Sequence, residues 1–334
     1  MKAIFLANNK GNVDYVYPKS IIDGIKELTD LDDKNVYTQY DITENPEKFS
    51  DVEYIFSTWS MPGGDNDDFA QYFPKAKALF YAAGSVKYFA KQYLDKGIKL
   101  FSAYAANAVP VAEFSLAQIL LANKGYYRAV RSELTDGYEK ASEISKAHPG
   151  NYGAKVGIIG VGMIGRKVIE LLSPFKVDIL VYDVFLSDEE AKSMGVKKAS
   201  LEELFSECDV ISNHLANVPA TVGIIKGELF SMMKPNATFI NTGRGAQVDE
   251  AGMLSVLAKR EDISAVLDVT IDEPPVKDSD LYRLKNVFLT PHIAGSQGCE
   301  VSRMAEYMLD EFRRFLSGEP TKYEITKEKL EKMA

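Results

Sequence analysis

The 334-residue sequence predicts an α/β protein of two doubly wound units with a cleft between them. Three observations carry this. Short apolar runs fit for buried parallel strands alternate with amphipathic helical stretches along the chain. One long apolar helix divides that alternation into two blocks. A helical stretch near the end has no strand of its own to cover, so it is expected to cross back onto the first block.

In the first block, strands are expected at Lys2–Leu6, Val52–Ser57, Ala78–Ala82 and Ile98–Phe101, with helical patterns at Ser20–Leu28 and Val86–Leu94. The dividing helix runs from Val109 to Ala122; it is apolar on nearly all faces and is therefore expected to be buried. The polar segment from Tyr126 to Gly150 follows it. The second block then places strands at Lys155–Ile159, Val177–Tyr182, Val210–Asn213, Thr238–Asn241, Ala265–Val269 and Val287–Leu289. The last helix is expected from about Cys299 to Leu316, with a Tyr323–Ile325 segment before a charged tail. The implied domains are residues 1–103 with 296–334, and residues 104–295.

Composition bounds the function classes. A net charge of −9 argues against nucleic acid as a partner, because phosphate binding draws on a basic surface. Cys208 and Cys299 lack a framework spacing and imply a reducing compartment rather than a disulfide scaffold. The stretch Met1–Asn9 is too short in apolar length for a signal peptide, and no segment is read as approaching the roughly 20 apolar residues of a membrane span. A cytoplasmic location is expected, with no membrane partner. The three histidines are scattered, and no metal site is expected. His148, in a Pro-Gly loop, is expected to be solvated.

The most specific local pattern is Gly160-Val161-Gly162-Met163-Ile164-Gly165, set between an apolar strand and a helical run from Arg166 to Leu172. Gly160 permits the tight turn, Gly162 lets the backbone approach a pyrophosphate, and Gly165 allows helix to pack closely on strand. Peptide N–H groups at the helix start, near Met163 and Ile164, face the phosphates. The next apolar run ends in Asp183, about 18 residues past Gly165, where an acidic side chain bonds ribose hydroxyls and repels a 2′-phosphate. The cofactor is therefore read as NAD rather than NADP, in a Rossmann domain.

Downstream come Arg244 in Asn-Thr-Gly-Arg-Gly, Glu273 in Asp-Glu-Pro and His292 in Thr-Pro-His-Ile-Ala-Gly. Taken singly, Arg244 reads as a surface arginine, Glu273 as a turn residue and His292 as a turn cap. Their joint occurrence, in this order and each beyond a predicted strand, points instead to a dehydrogenase centre facing the cofactor.

From Asn107 to Gly295 the chain resembles the D-isomer-specific 2-hydroxyacid dehydrogenase family. The resemblance rests on Asn107 with Val111-Ala112-Glu113, the glycine turn, His214-Leu215 with Pro219 and Thr221, and Met233-Lys234-Pro235. It continues through Asn241-Thr242-Gly243-Arg244-Gly245, Val248-Asp249-Glu250, Asp268-Val269, Glu273-Pro274, Asn286-Val287 and Thr290-Pro291-His292. Earlier residues agree only in pattern, with Ala83-Gly84-Ser85-Val86 resembling the family's carboxylate-binding loop. The resemblance implies a flavodoxin-like substrate domain beside the NAD domain, and a homodimer through the NAD domain, the Tyr126–Gly150 segment wrapping the partner. It implies substrate contacts at Gly84, Ser85 and Arg244, and cofactor contacts at His214, Thr221, Thr242, Gly243 and Asp268, the last on the nicotinamide carboxamide.

The chemistry requires these residue types. Reducing a 2-oxo acid takes a hydride, a proton for the developing alkoxide and a cation for the carboxylate and carbonyl oxygens. The Arg244 fork supplies the cation, His292 the proton, and Glu273 fixes the imidazole tautomer. His214 is the rival histidine, but it follows a strand on the adenosine side and is assigned to cofactor-side structure. Trp59 and Met61, in a loop after a first-block strand, and Tyr104 are weighed between packing and the substrate pocket. No cation cluster near Gly84 or Trp59 suits a phosphorylated acid, which directs the reading to glyoxylate, hydroxypyruvate or a modest apolar 2-oxo acid.

The chain departs from the family where Ala216 replaces a usual proline, Gly243 a usual alanine or serine, and Ser85-Val86-Lys87 a frequent Val-Asp. It also lacks the usual tryptophan before the glycine turn. These departures leave the branch open. An NAD(H)-sensing regulator of the corepressor type on the same fold is the alternative to an enzyme. Formate dehydrogenase is disfavoured, because it carries glutamine where this chain has Glu273.

Overall fold

A computed structural model describes residues 1–64 and 68–332. The chain divides into two units, Met1–Asn107 with Ser296–Ala334, and Ala108–Gly295.

The first unit holds six strands: β1 (Lys2–Leu6), β2 (Asp30–Tyr37), β3 (Val52–Ser57), β4 (Ala78–Tyr81), β5 (Lys99–Ser102) and, from the far end of the chain, β13 (Glu324–Ile325). Their order is β13-β5-β4-β3-β1-β2, parallel except for β13 on β5. The 2-1-3-4-5 order is that of the flavodoxin-like doubly wound sheet. Both faces are covered because alternate strand residues are apolar on both sides. Ala3, Phe5, Tyr54, Phe56, Ala78 and Phe80 enter one core, and Ile4, Leu6, Ile55, Leu79 and Tyr81 enter the other. Helix Ser302–Ser317 covers the first of these faces. Phe312 meets Phe56 and Phe80 edge-on at 5.2 and 5.1 Å, while Phe80 and Phe101 stack at 4.8 Å.

The second unit holds β6 (Tyr152–Ile159), β7 (Lys176–Tyr182), β8 (Lys197–Lys198), β9 (Val210–Asn213), β10 (Thr238–Asn241), β11 (Ser264–Leu267) and β12 (Val287–Leu289). They form one sheet in the order β12-β11-β10-β9-β6-β7-β8, with every pair parallel. The strand order reverses direction between β6 and β9. That is the switch point where open α/β sheets bind ligands, outside the carboxyl ends of the strands.

Six sequence expectations need correction. The first block also contains β2, Asp-Leu-Asp-Asp-Lys-Asn-Val-Tyr, which has no clean alternation because it is an edge strand paired only with β1. Of the Val86–Leu94 pattern only Ala90–Asp95 is helical. The dividing helix begins at Tyr104, with Pro110 inside it. At 19 residues it is long and apolar enough to cross a membrane by length and composition alone, contrary to the sequence reading. It is also not buried all round. Ala106, Ala112, Ser115, Ile119 and Ala122 face inward, while Glu113, Ala117 and Leu121 are exposed. His148 is half-buried rather than solvated, with its Nδ1 2.8 Å from the Ile144 carbonyl; burial lowers its pKa.

The segment after this helix forms two further helices, Tyr126–Thr135 and Tyr138–Lys146. Arg128 ties the first to the Asn236 side chain (2.8 Å) and the Asp262 carbonyl (2.7 Å), and the Arg131 guanidinium lies 4.4 Å from the Phe288 ring.

Candidate active site

Within the second unit the singled-out residues gather at one end of the sheet, because each follows the carboxyl end of a parallel strand. Gly160-Val161-Gly162 follows β6, Asp183 follows β7 and His214 follows β9. Thr242-Gly243-Arg244 follows β10, Asp268 and Glu273 lie after β11, and His292 lies after β12. Gly84 and Ser85 stand on the other unit, just beyond β4 at the corresponding end of its own strand.

The glycine turn has the shape a dinucleotide requires. Gly160 sits at φ +87°, and a Cβ there would lie 2.8 Å from the His214 carbonyl carbon. A Cβ at Gly165 would lie 2.0 Å from the Gly160 oxygen, so only glycine lets helix Met163–Leu172 approach β6 this closely. Gly162 differs, because a Cβ there meets nothing within 4 Å. No side chain caps the helix whose N-cap it is. An open, uncapped helix start fits a pyrophosphate. Asp183 braces the turn from β7, with Oδ2 accepting from Val161 N (2.7 Å) and Oδ1 from Phe185 N (2.8 Å).

His292 and Glu273 come together. His292 Nδ1 lies 2.6 Å from Glu273 Oε2; because a carboxylate only accepts, Nδ1 is the donor, and Nε2 lies outside this bond. Both side chains are partly exposed, at 48% and 37%. His292 has φ +53°, a left-handed conformation that disfavours a residue of its size. The surroundings enforce it. His292 N–H donates to the Asp268 carbonyl (3.1 Å), and the buried Asp268 carboxylate accepts from Thr290 Oγ1 (2.6 Å), Ile293 N (2.8 Å) and Ala294 N (2.9 Å). Asp268 therefore holds the histidine loop in place.

The Arg244 guanidinium lies within electrostatic reach of the Glu273 carboxylate. The Arg244 loop presses on the one carrying Glu273, since a Cβ at Gly245 would lie 2.0 Å from the Thr270 carbonyl carbon. Burial pushes the guanidinium pKa down, and the Glu273 carboxylate opposes that. Arg244 Nη1 donates to the Gly243 carbonyl at 2.7 Å.

The other sequence-predicted residues have their bonds within the protein. His214 is buried, with Nε2 2.9 Å from Ser212 Oγ and Nδ1 3.3 Å from Thr242 Oγ1. Burial lowers its pKa to about 3, so it is neutral at working pH and unsuited to acid–base chemistry. Thr242 Oγ1 also meets Ser115 Oγ at 3.2 Å. The Thr221 hydroxyl donates to the carbonyls of Ala216 (2.6 Å) and Val218 (2.9 Å), a turn-closing role. In the first unit, Ser102 Oγ donates to the carbonyls of Ala83 (2.9 Å) and Gly84 (2.7 Å), shaping the loop after β4. Trp59 stacks on Tyr15 at 6.4 Å. Met61 is buried in the core, and Tyr104 packs edge-on against Tyr323. Among the described residues, no group of three or more His, Cys, Asp or Glu could hold a metal ion. The sequence reading missed Asn213 and Gln247, buried amides beside Arg244 that carry no recognisable motif.

A dinucleotide cradle at the switch point, with an imidazole–carboxylate pair on the same end of the sheet, is the arrangement of a nucleotide-binding protein. Comparison with known sequences narrows the class. The profile of the D-isomer specific 2-hydroxyacid dehydrogenase NAD binding domain matches residues 116–294, more than half of the chain, and the protein belongs to that family. Its cofactor is NAD. A putative 2-hydroxyacid dehydrogenase, YoaD, of Bacillus subtilis is 35% identical over 207 residues, covering 60% of this chain and 59% of the relative. D-3-phosphoglycerate dehydrogenase of Archaeoglobus fulgidus is 33% identical over 202 residues, covering 60% of this chain and 38% of the relative. The chain thus spans only part of these relatives' length. Among solved structures, the apo form of Rhodotorula graminis D-mandelate dehydrogenase superposes with a TM-score of 0.81 at 22% identity, covering 98% of each chain. That is a likeness of fold.

Proposed function

We propose that the protein reduces a small 2-oxo acid to the D-2-hydroxy acid, reversibly, with NADH as reductant. The observation that carries this reading is the 2.6 Å bond from His292 Nδ1 to Glu273 Oε2, on the same end of the sheet as a glycine turn that fits a dinucleotide. The 160–165 turn would hold the cofactor, with Asp183 towards its ribose, and the cofactor would supply the hydride and take it back in the reverse direction. The protein's own residues do the rest. Arg244 binds the carboxylate and the carbonyl oxygen, holding the substrate and stabilising negative charge on that oxygen as it becomes an alkoxide. His292 donates its Nε2 proton to the same oxygen, and Glu273 stabilises the imidazolium beforehand and sets its orientation. In the oxidative direction His292 Nε2 takes the hydroxyl proton. Asp268 holds the loop that presents His292, and Gly84 and Ser85 are assigned to the substrate carboxylate.

The substrate class follows from charge. In the sequence no cluster of cations accompanies the loop at Gly84 or Trp59; Lys87 stands nearest to it, and Lys91 is paired with Asp95. The reading favours glyoxylate, hydroxypyruvate or a modest apolar 2-oxo acid over a phosphorylated one. A homodimer through the second unit is part of the proposal. Tyr126, Val130, Leu134 and Tyr138 leave the helices after Ala122 with exposed apolar surface, and light scattering of the purified protein checks it.

The test is NADH oxidation at 340 nm against glyoxylate, hydroxypyruvate, pyruvate, phenylpyruvate, 2-oxoisocaproate and phosphohydroxypyruvate. Turnover of one acid, abolished by His292→Gln with NADH binding retained, supports the reading, as does a raised KM together with a lowered kcat in Arg244→Ala. Turnover that neither substitution alters would remove both residues from the mechanism. NADH binding with no turnover on any of the acids would favour a sensing role.

A further inference from the structure

Three buried side-chain amides surround the base of Arg244 and form a closed network. Asn213, Asn241 and Gln247 are each no more than 1% exposed. Asn213 Nδ2 donates to both Asn241 Oδ1 (2.9 Å) and Gln247 Oε1 (2.7 Å), and its Oδ1 accepts from Leu215 N (3.2 Å). Asn241 Oδ1 also accepts from Gly243 N (3.0 Å), and its Nδ2 donates to the Arg244 carbonyl (3.2 Å). Gln247 Oε1 also accepts from Arg244 N (3.1 Å), and its Nε2 donates to the Leu215 carbonyl (2.8 Å). The three amides thus grip the peptide N–H groups of residues 243 and 244 and the carbonyl of 244, the backbone from which the guanidinium projects.

Burying amides is costly unless every polar atom is paired, and here they pair peptide groups of Leu215, Gly243 and Arg244 that apolar side chains would leave without these partners. What the amides add is direction, because hydrogen bonds fix a backbone where packing alone would let it slide. Gly243 makes the arrangement possible. A Cβ there would lie 2.6 Å from Gln247 Oε1 and 2.9 Å from Asn213 Nδ2, so any larger residue at this position would displace the pair. The glycine at 243 and the amides at 213 and 247 therefore belong to one device.

We propose that Asn213 and Gln247, admitted by the missing side chain of Gly243, are positioning residues that aim Arg244 and thereby set the affinity for the 2-oxo acid. This rests on the reading that Arg244 binds substrate oxygens. Gln247→Met keeps the length of the side chain but removes its hydrogen bonds, leaving Arg244 N–H and one Asn213 N–H without an acceptor. The expected result is a KM for the 2-oxo acid raised about tenfold, equivalent to one hydrogen bond lost between the misaimed guanidinium and the substrate, with a smaller fall in kcat, the same pattern as Arg244→Ala in weaker form. NADH affinity stays the same. In an Arg244→Lys background the same substitution changes KM by less than about twofold, because the group it positions is gone.

A second readout needs no turnover. In the protein without added cofactor, amide hydrogen exchange at Gly243 and Arg244 is faster in Gln247→Met than in the wild type. Equal KM losses in the two backgrounds, or unchanged exchange, would overturn the proposal. An Arg244→Lys variant with wild-type kinetics would instead overturn the reading beneath it. If Gln247→Met does not fold, Gly243→Ala tests the network from the other side. It is expected to raise KM alone, but to add nothing to Gln247→Ala, which vacates the space the new methyl group needs. Additive losses would refute the coupling.

Discussion

Two glycines of one turn should fail in opposite ways when each becomes alanine. At Gly165 the added methyl lands 2.0 Å from the Gly160 oxygen and 3.1 Å from its carbonyl carbon. These are backbone atoms that cannot swing aside, so the helix must move off β6. Overpacking of this kind costs about 1–3 kcal/mol or more, or roughly 2–10 °C in melting temperature for a unit of this size. At Gly162 the methyl meets nothing within 4 Å, and φ is −73°, which alanine adopts freely. Stability should stay within about 0.5 kcal/mol of wild type. The same methyl fills the space through which a pyrophosphate reaches the first turn of helix Met163–Leu172. Losing one charge-assisted hydrogen bond there, about 1.5–3 kcal/mol, weakens NADH binding roughly 10- to 150-fold. Scanning fluorimetry of the unliganded protein reads the first effect, and titration of NADH fluorescence reads the second. A Gly162→Ala variant that melts early, or binds NADH within twofold of wild type, would refute the assignment of this turn as the phosphate cradle.

Asp183→Ser should relax the preference for NADH over NADPH in binding. It should weaken both somewhat, since the carboxylate also braces Val161 N; an unchanged NADPH to NADH ratio would mean another residue sets it. His214 predicts an acid sensitivity. Its folded pKa of about 3 lies below the ordinary 6.5, so the unfolded chain takes the proton first, and stability is full above pH 6.5 and lost as pH falls towards 3. The loss is about 2 kcal/mol between pH 7 and 5, and urea titrations of His214→Gln should show that much less dependence on pH. Cys208 is buried, with a pKa pushed up to about 12, whereas Cys299 is exposed. Ellman's reagent should therefore count one fast thiol in the native protein and two in denaturant.

What the sequence displayed was what depends on local pattern. Apolar runs such as Val210–Asn213 and Thr238–Asn241 coincide with strands because both faces of a parallel sheet are buried, which leaves an uninterrupted apolar signature. The glycine turn was legible because its three glycines each answer a close approach or an open cradle. Arg244, Glu273 and His292 were legible by order, one at each successive strand end. Other features were hidden for physical reasons. β2 is an edge strand that faces solvent along much of its length, so Asp30, Asp32 and Asp33 break its pattern. His148 is sheltered by tertiary contacts that a Pro-Gly loop does not announce. Asn213 and Gln247 read as ordinary polar residues, since nothing local distinguishes a buried amide from a solvated one. Their only trace in the sequence was the glycine at 243.

The groups assigned to chemistry share a manner of support. Apolar packing holds the sheet together but is non-directional, and a catalytic head must be placed to within about half an ångström. In this protein the placement comes from buried polar groups. Asp183 accepts from Val161 N in the glycine turn, the amide network grips both sides of the Arg244 peptide, and Asp268 takes three donors from the loop that carries His292. Each support lies at or just beyond the end of its strand, where the apolar core gives way to the polar end of the sheet. That position explains how the desolvation is offset, since strand-end peptide groups unpaired by the sheet are the partners these side chains use. It also explains why His292 can keep a left-handed backbone at φ +53°. A strained conformation persists only when its surroundings over-determine it, and Asp268 does so through its own carbonyl as well as both carboxylate oxygens. Conformational strain at the residue assigned to acid–base chemistry and dense polar bonding around it are thus two sides of one requirement, the fixed aim of the imidazole.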